Sequence, residues 1–437
     1  MAQPSRLARA LTFRDLIVYG LLFIGPLAPV GVFGVLDART GGAVALVYLL
    51  ATLAMALTAW SYAEMSRVVP HAGSVFAYAS QGLGNRAGFL AGWLAMLDYL
   101  LIPSVAYLFS GIALHALVPS VPAWAFTLVA FGGTTALNLA GVGVAARAGF
   151  VVLVTEIGVL VLFTVLALVA LAGNGAARPW ESPLTGLGAL DVSAVVGAVS
   201  VAVLSFLGFD AIAGFAEEHA GDPRDVGRAI LVCLAVAGVT FVLQTWLAAL
   251  LAHISPAELT VRPEQQGTAF YDVTRAGIAP WLATAVAITK AIGPAFAAMS
   301  GQAAAARLLY GMARDGRLPA VLAHVDARHG APRAALLAAA GLTMVVAVWA
   351  ARRADGLDVL VSIVDIGALA AFTLLHLSVV GYFVVKGKGP RRPAHVVVPV
   401  LGALVTAWVI VEARPLAQWV GGLWAAVGLG MVAMRRR

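Results

Sequence analysis

Twelve long apolar stretches, at 15–37, 41–66, 82–113, 121–141, 146–172, 192–217, 226–252, 281–313, 333–351, 357–386, 394–412 and 414–434, constrain the fold of this chain more than any motif it carries. A membrane-crossing helix needs about 20 mostly apolar residues, and each stretch is of that order. Only 11% of the 437 residues are charged and 61% are hydrophobic, against about 25% and 45–50% in a soluble domain. A water-soluble enzyme is excluded, and no soluble domain has room between the spans. The predicted class is all-α integral membrane, a single membrane domain over 1–437 with 12 transmembrane helices and short loops.

The basic residues fix a direction. With an even number of spans both termini lie on one side, and placing them in the cytoplasm leaves only Arg39, Arg178, Arg262, Arg275, Arg352, Arg353 and Arg414 outside, with Lys290 inside a span. The other 20 of the 28 Lys and Arg fall on the inner side, the bias that sets membrane topology. The net charge of +7 therefore reflects cytoplasmic loops, and no nucleic-acid partner is expected. The single Cys233 sits in an apolar run, where it can form neither an internal disulfide nor a cysteine metal site. The basic N-terminus leads into an apolar segment without a small-residue cleavage site, which reads as a retained first helix.

Two spans carry signs of a break. The first reads Gly25-Pro26-Leu27-Ala28-Pro29-Val30-Gly31 near its middle. Each proline removes an amide and clashes with the carbonyl one turn earlier, and irregular backbone at membrane depth persists only where it faces protein or a water-filled cavity. The sixth span carries Ser205-Phe206-Leu207-Gly208-Phe209-Asp210 at a similar depth, a weaker break. Interruptions five spans apart match a transporter built from inverted repeats, whose discontinuous helices meet at the membrane midplane. A simple proline kink is the bland alternative.

Charges inside spans are costly and by default functional. Asp98, beside Tyr99, lies in the third span, Glu156 in the fifth, Asp210 after the sixth-span break, Lys290 in the eighth, and Asp365 and His376 in the tenth. The carboxylates suit a cationic amine, or one of them a coupling proton. Asp98 could equally hydrogen-bond a neighbouring helix, Asp210 cap a half-helix, Lys290 pair with Asp98 or Asp365, and His376 serve packing.

These residues resemble the amino acid–polyamine–organocation family of secondary transporters over nearly the full length. The matching stretches are Tyr62-Ala63-Glu64-Met65 through Pro70-His71-Ala72-Gly73-Ser74, then Gly208-Phe209-Asp210 with Glu217-Glu218, Asp222-Pro223, and Ala306-Arg307-Leu308-Leu309-Tyr310-Gly311-Met312-Ala313-Arg314-Asp315-Gly316. Leu97-Asp98-Tyr99-Leu100 and Gly367-Ala368-Leu369-Ala370-Ala371-Phe372-Thr373 look most like the family's putrescine-importer branch. The resemblance implies a leucine-transporter-type fold with a 5+5 inverted repeat: helices 1–5 over 15–172, helices 6–10 over 192–386, and two peripheral helices over 394–434. It also implies alternating access and proton-coupled uptake across the plasma or inner membrane.

Two departures from the family pattern bear on the substrate and on coupling. Family amino acid carriers hold the substrate carboxylate on a Gly-Ser-Gly-like turn in helix 1, where this chain has Pro29-Val30-Gly31, lacking one donor amide and the hydroxyl. That change favours an amine without a carboxylate, although putrescine-importer relatives tend to carry an acid at the position of Gly31. Some proton-coupled relatives place a lysine in helix 5, where this chain has Glu156. Ser300 is the lone hydroxyl near the position sodium would take, and hard cations need several oxygens, so protons are the expected coupling ion.

The reading that results is a secondary active permease, with no cofactor, importing a small organic amine, polyamine or amino acid by proton symport. Substrate binding is expected from Gly25, Pro26, Leu27, Ala28, Pro29, Val30, Gly31, Asp98, Tyr99, Ser205, Phe206, Gly208, Phe209 and Asp210. Asp98 or Glu156 would neutralise the ammonium, Phe206 or Phe209 would gate and offer a cation–π face, and Glu156 with Lys290 would carry proton coupling. An amino acid symporter or exchanger, and more distantly a receptor without transport, remain as alternatives. A membrane-embedded enzyme would need a nucleophile, base or metal cluster, and the eight histidines include no pair at ligand spacing within a span.

Overall fold

The computed structural model describes residues 9–70, 74–118, 120–326, 331–353, 356–413 and 415–434. The motif residues His71, Ala72 and Gly73, and the topology arginines Arg6, Arg328, Arg414 and Arg435 to Arg437, lie outside them. The described residues form helices and connecting turns with no named strand. In chain order these are α1 (Phe13–Ile24), α2 (Phe33–Thr40), α3 (Val44–Val68), α4 (Val75–Gly82), α5 (Asn85–Leu117), α6 (Ala123–Leu139), α7 (Val142–Asn174), α8 (Ser182–Thr185) and α9 (Val192–Leu204). They continue as α10 (Arg224–Leu251), α11 (Pro256–Val261), α12 (Ala269–Gly277), α13 (Pro280–Arg314), α14 (Arg333–Ala351), α15 (Gly356–Val379), α16 (Ala394–Glu412) and α17 (Pro415–Met434).

Among the described residues, 11 helical segments are long and apolar enough to cross a membrane. The expectation was 12. The difference lies in the fourth apolar stretch, which becomes α6, only 17 residues long. Pro122 starts it, and Gly141, in the left-handed region at φ 113°, turns the chain into α7. At 1.5 Å per residue α6 is about 25 Å long, near the lower limit for a span.

The helices sort their faces as a bilayer requires. On α7, Val151, Val154, Val161, Val165 and Val169 point outward, whereas Glu156, Leu160, Phe163, Ala167 and Leu171 are buried. The buried set recurs every three to four residues, so one stripe of the helix meets protein and the other meets lipid. The long α5 runs through the middle of the bundle, packed on α13, α15, α4, α6 and α14. Gly367 of α15 makes part of this closeness possible, because a Cβ there would lie 2.9 Å from Asp98 N and Leu94 O of α5.

The two breaks have separate local causes. The last regular bond of α1 runs from Gly25 N to Leu21 O at 2.9 Å. Pro26 then offers no amide, Gly25 turns to φ 76°, and the chain makes one 3₁₀ turn over Ala28–Gly31 before resuming as α2. After α9, Ser205, Phe206 and Leu207 donate to carbonyls three residues back rather than four. Gly208 follows at φ 116°, and a 3₁₀ segment continues over Phe209–Phe215. A side chain at Gly208 is excluded twice, by its φ and by the Phe23 ring, 2.7 Å from where a Cβ would sit. Gly208→Ala is therefore expected to cost about 1–3 kcal/mol, read as a lowered unfolding temperature of the purified protein in detergent.

Candidate functional site

The two interruptions meet at a cavity of about 100 Å³. Its wall takes Gly25, Ala28, Gly31 and Val32 from the first break, Leu204, Ser205 and Leu207 from the second, and Ile102, Val105, Ala106 and Phe109 from α5. Glu156 of α7 and Lys290 of α13 bring the only charged side chains among its lining residues. Lys290, Gly293, Pro294 and Ala297 form one face of α13, at helical spacing.

Glycine and proline make room for polar groups here. The Glu156 carboxylate lies directly over Gly293, where a Cβ would come 2.0 Å from Oε1. Its other oxygen, Oε2, is buried without a hydrogen-bond partner. The Lys290 Cε sits 3.8 Å from the position a Cβ on Gly31 would take, so its ammonium arm reaches the first break. Glu156 and Lys290 feel each other's charge, yet they do not close an ion pair within 4 Å. Pro26 and Pro294 each deprive the carbonyl four residues earlier, Leu22 and Lys290, of its helical donor. The Glu156 carboxylate suits a cationic group of a small solute, the Lys290 ammonium an anionic one, and the apolar wall its carbon skeleton.

The expected site residues divide into two groups. Gly25, Ala28, Gly31, Ser205, Glu156 and Lys290 line the cavity. Pro26, Leu27, Pro29 and Val30 belong to the break but not to the lining; Leu27, Pro29 and Val30 are buried in its packing. Phe206 packs on Tyr48 and Phe241, with ring centroids 6.3 and 5.0 Å away, and Phe209 packs on Tyr62 and Phe372; neither lines the cavity. Asp98, Tyr99, Gly208 and Asp210 also stand apart from it. Asp210 accepts from the Tyr99 hydroxyl, and from the Tyr62 hydroxyl at 3.3 Å. Lys290 shares the cavity wall with Glu156, whereas Asp98 and Asp365 are not among its lining residues. His376 is enclosed by the hydroxyls of Thr58 and Ser61 at 3.2 and 2.9 Å, and the Cys233 thiol donates weakly to Ile17 O at 3.6 Å.

Sequence reasoning missed several supports. Gln244 of α10 donates to Pro26 O at 3.0 Å, pinning the first break, and Tyr48 shares a hydrogen bond of 3.0 Å with Ser205. An isolated glutamine in an apolar run was the available signal for the first. Arg178 holds Asp37 through two bonds of 2.8 Å and adds Ala252 O and Ile254 O at 3.1 and 2.6 Å. Arg307 holds Glu218 in the same bidentate way, at 2.5 and 2.9 Å.

A helical bundle of this kind, interrupted twice around a largely apolar cavity that carries one acid and one lysine, defines a multi-pass membrane transporter. The amino acid permease family model matches residues 11–426, and the chain belongs to that family. It is 27% identical over 436 residues to the low-affinity putrescine importer PlaP of Escherichia coli (strain K12), covering 97% of this chain and 92% of that one. It is 29% identical to the methylthioribose transporter of Bacillus subtilis (strain 168), covering 98% and 93%. The gamma-aminobutyric acid permease of Escherichia coli (strain K12) is 26% identical over 80% of this chain and 75% of its own length. These relatives are permeases and transporters, not enzymes.

Proposed function

We propose that the protein is a plasma-membrane symporter that imports a small organic amine, polyamine or amino acid, driven by the proton gradient. The carrying observation is the cavity between the two helix breaks, with Glu156 at its wall. A lone carboxylate at that depth is costly, and either a bound ammonium or a proton relieves the cost. Glu156 is thus the one group on which substrate and proton converge, with Lys290 tuning which of them prevails. The proposed architecture is of the leucine-transporter type: α6 serves as a twelfth span, 15–172 and 192–386 form the inverted repeats, 394–434 is peripheral, and both termini are cytoplasmic. Alternating access then moves the repeats around the cavity. The relatives' names support the substrate class, since they include a putrescine importer and an aminobutyrate permease.

Lys290 favours a second reading within the same class. Its ammonium beside Gly31 offers a partner to a substrate carboxylate, so a zwitterionic amino acid would satisfy both charges of the cavity. Proteoliposomes with an imposed pH gradient separate the two readings. If amines are carried, putrescine or n-butylamine competes for uptake and alanine does not; if amino acids are carried, the order reverses. Accumulation that persists with exchange substrate inside and no pH gradient marks an antiporter and contradicts symport. Absence of any uptake contradicts both.

A further inference from the structure

A second polar cluster lies outside the lining of the cavity. Asp98 of α5 sits four residues from Ile102, which lines the cavity, on the same helix face and about 6 Å along the axis. Asp98 feels the charges of Asp210, in the second break, and Asp365 of α15. Each of the three keeps one buried carboxylate oxygen without a hydrogen-bond partner. No lysine or arginine among the described residues pairs with any of them. Phe23, Ile102, Ala211 and Ala304 pack as one apolar group, with Phe23 and Ile102 on the cavity wall and Ala211 next in sequence to Asp210.

Independent features point to a ligand. Ser74, 1% exposed, faces the Tyr62 and Tyr99 hydroxyls, yet its Oγ completes no hydrogen bond of normal geometry. Ser74 is also the one non-glycine of the described residues with positive φ, at 47°, a strained conformation that persists where the surroundings impose it. The Tyr78 hydroxyl, likewise buried, has no partner. Tyr62 stands edge-on to Tyr78, Phe209 and Phe372 at 5.9, 6.2 and 5.9 Å, so aromatic faces and acids surround one locus, the combination that attracts organic cations. Pro103 in turn frees the carbonyl of Tyr99. Among the described residues no three His, Cys, Asp or Glu are placed to hold a metal ion.

We infer that Asp98, Asp210 and Asp365, with Tyr62, Tyr99 and Ser74, form a second binding site for a primary ammonium, separate from the cavity and one helical turn beyond it. It receives the amine after the apolar group of Phe23 and Ile102 opens, so that the ammonium passes between two acidic stations without a bare step through apolar protein. A zwitterion is a poorer occupant, because its carboxylate would meet three acids. The inference rests on the amine reading of the cavity.

Equilibrium binding of n-butylamine to the purified full-length protein tests it. Wild type is expected to take up two equivalents. Glu156→Gln should lose one and keep the other, and Asp98→Asn or Asp210→Asn should weaken that remaining one by about thirty-fold or more, as loss of a buried charge partner does. Tyr99→Phe, which keeps the packing, should weaken it less. Alanine should fill at most one site. A single equivalent in wild type that Glu156→Gln removes overturns the second site while leaving the cavity reading intact. Two equivalents of which neither responds to Asp98→Asn or Asp210→Asn, or a second equivalent for alanine, also overturns it. Binding unaffected by Glu156→Gln and abolished by Asp210→Asn contradicts the cavity reading instead.

Discussion

Glu156→Gln protein is expected to fold, insert and unfold at the wild-type temperature, yet to lose gradient-driven accumulation in proteoliposomes. Glutamine matches the carboxylate in shape, so the close fit over Gly293 is kept. What disappears is the only acid of the cavity wall. Removing one partner of a buried charge contact typically costs 2–5 kcal/mol, so initial uptake should fall by roughly a hundred-fold, with internal substrate never exceeding the external level. Fluorescence of a pH-sensitive dye in the lumen provides the second readout: wild type should carry protons with substrate, and the variant should not. Full accumulation by Glu156→Gln would remove Glu156 from both roles.

The other large effect concerns stability. Asp37→Ala should lower unfolding free energy by about 3–5 kcal/mol, because breaking a buried pair strands the remaining charge. Arg178 is 5% exposed and Asp37 fully buried, and Arg178 also holds two carbonyls near the end of α10. Four contacts thus tie the far end of α2 to two separate loops. The double variant Asp37→Ala with Arg178→Met should recover part of the loss, since no lone charge remains. Thermal unfolding of the four members of the cycle measures it. A single-variant cost below about 1 kcal/mol, the value of an exposed pair, would show that water reaches this contact.

How much of this could be read in advance depended on whether the cause was local. The spans follow from hydropathy, and the first break from Pro26 and Pro29, whose effect on a helix needs no tertiary context. The second break was fainter, because Gly208 acts through its φ and its contact with Phe23, and only the latter requires the fold. That Glu156 and Lys290 would share one cavity was open, since intramembrane charge marks a residue as costly without naming its partner. The rotation of each helix was hidden. Asp98 and Ile102 lie on one face of α5, yet only Ile102 lines the cavity, where it packs with Phe23, Ala211 and Ala304 arriving from distant segments. Phe206 and Phe209 went the same way: aromatic residues at a break look like gates, but Tyr48, Phe241, Tyr62 and Phe372 claim them as packing partners.

The central claim is that solute docks where the two helices are interrupted, and filling that space tests it most directly. A Cβ on Gly31 meets only the Lys290 Cε within 4 Å, at 3.8 Å, so Gly31→Phe starts without a backbone clash and directs a ring into the cavity of about 100 Å³. Uptake of whichever labelled probe wild type accumulates, putrescine or alanine, should be abolished in Gly31→Phe vesicles while the unfolding temperature stays near that of wild type. Uptake at the wild-type rate and affinity in that variant would contradict the account.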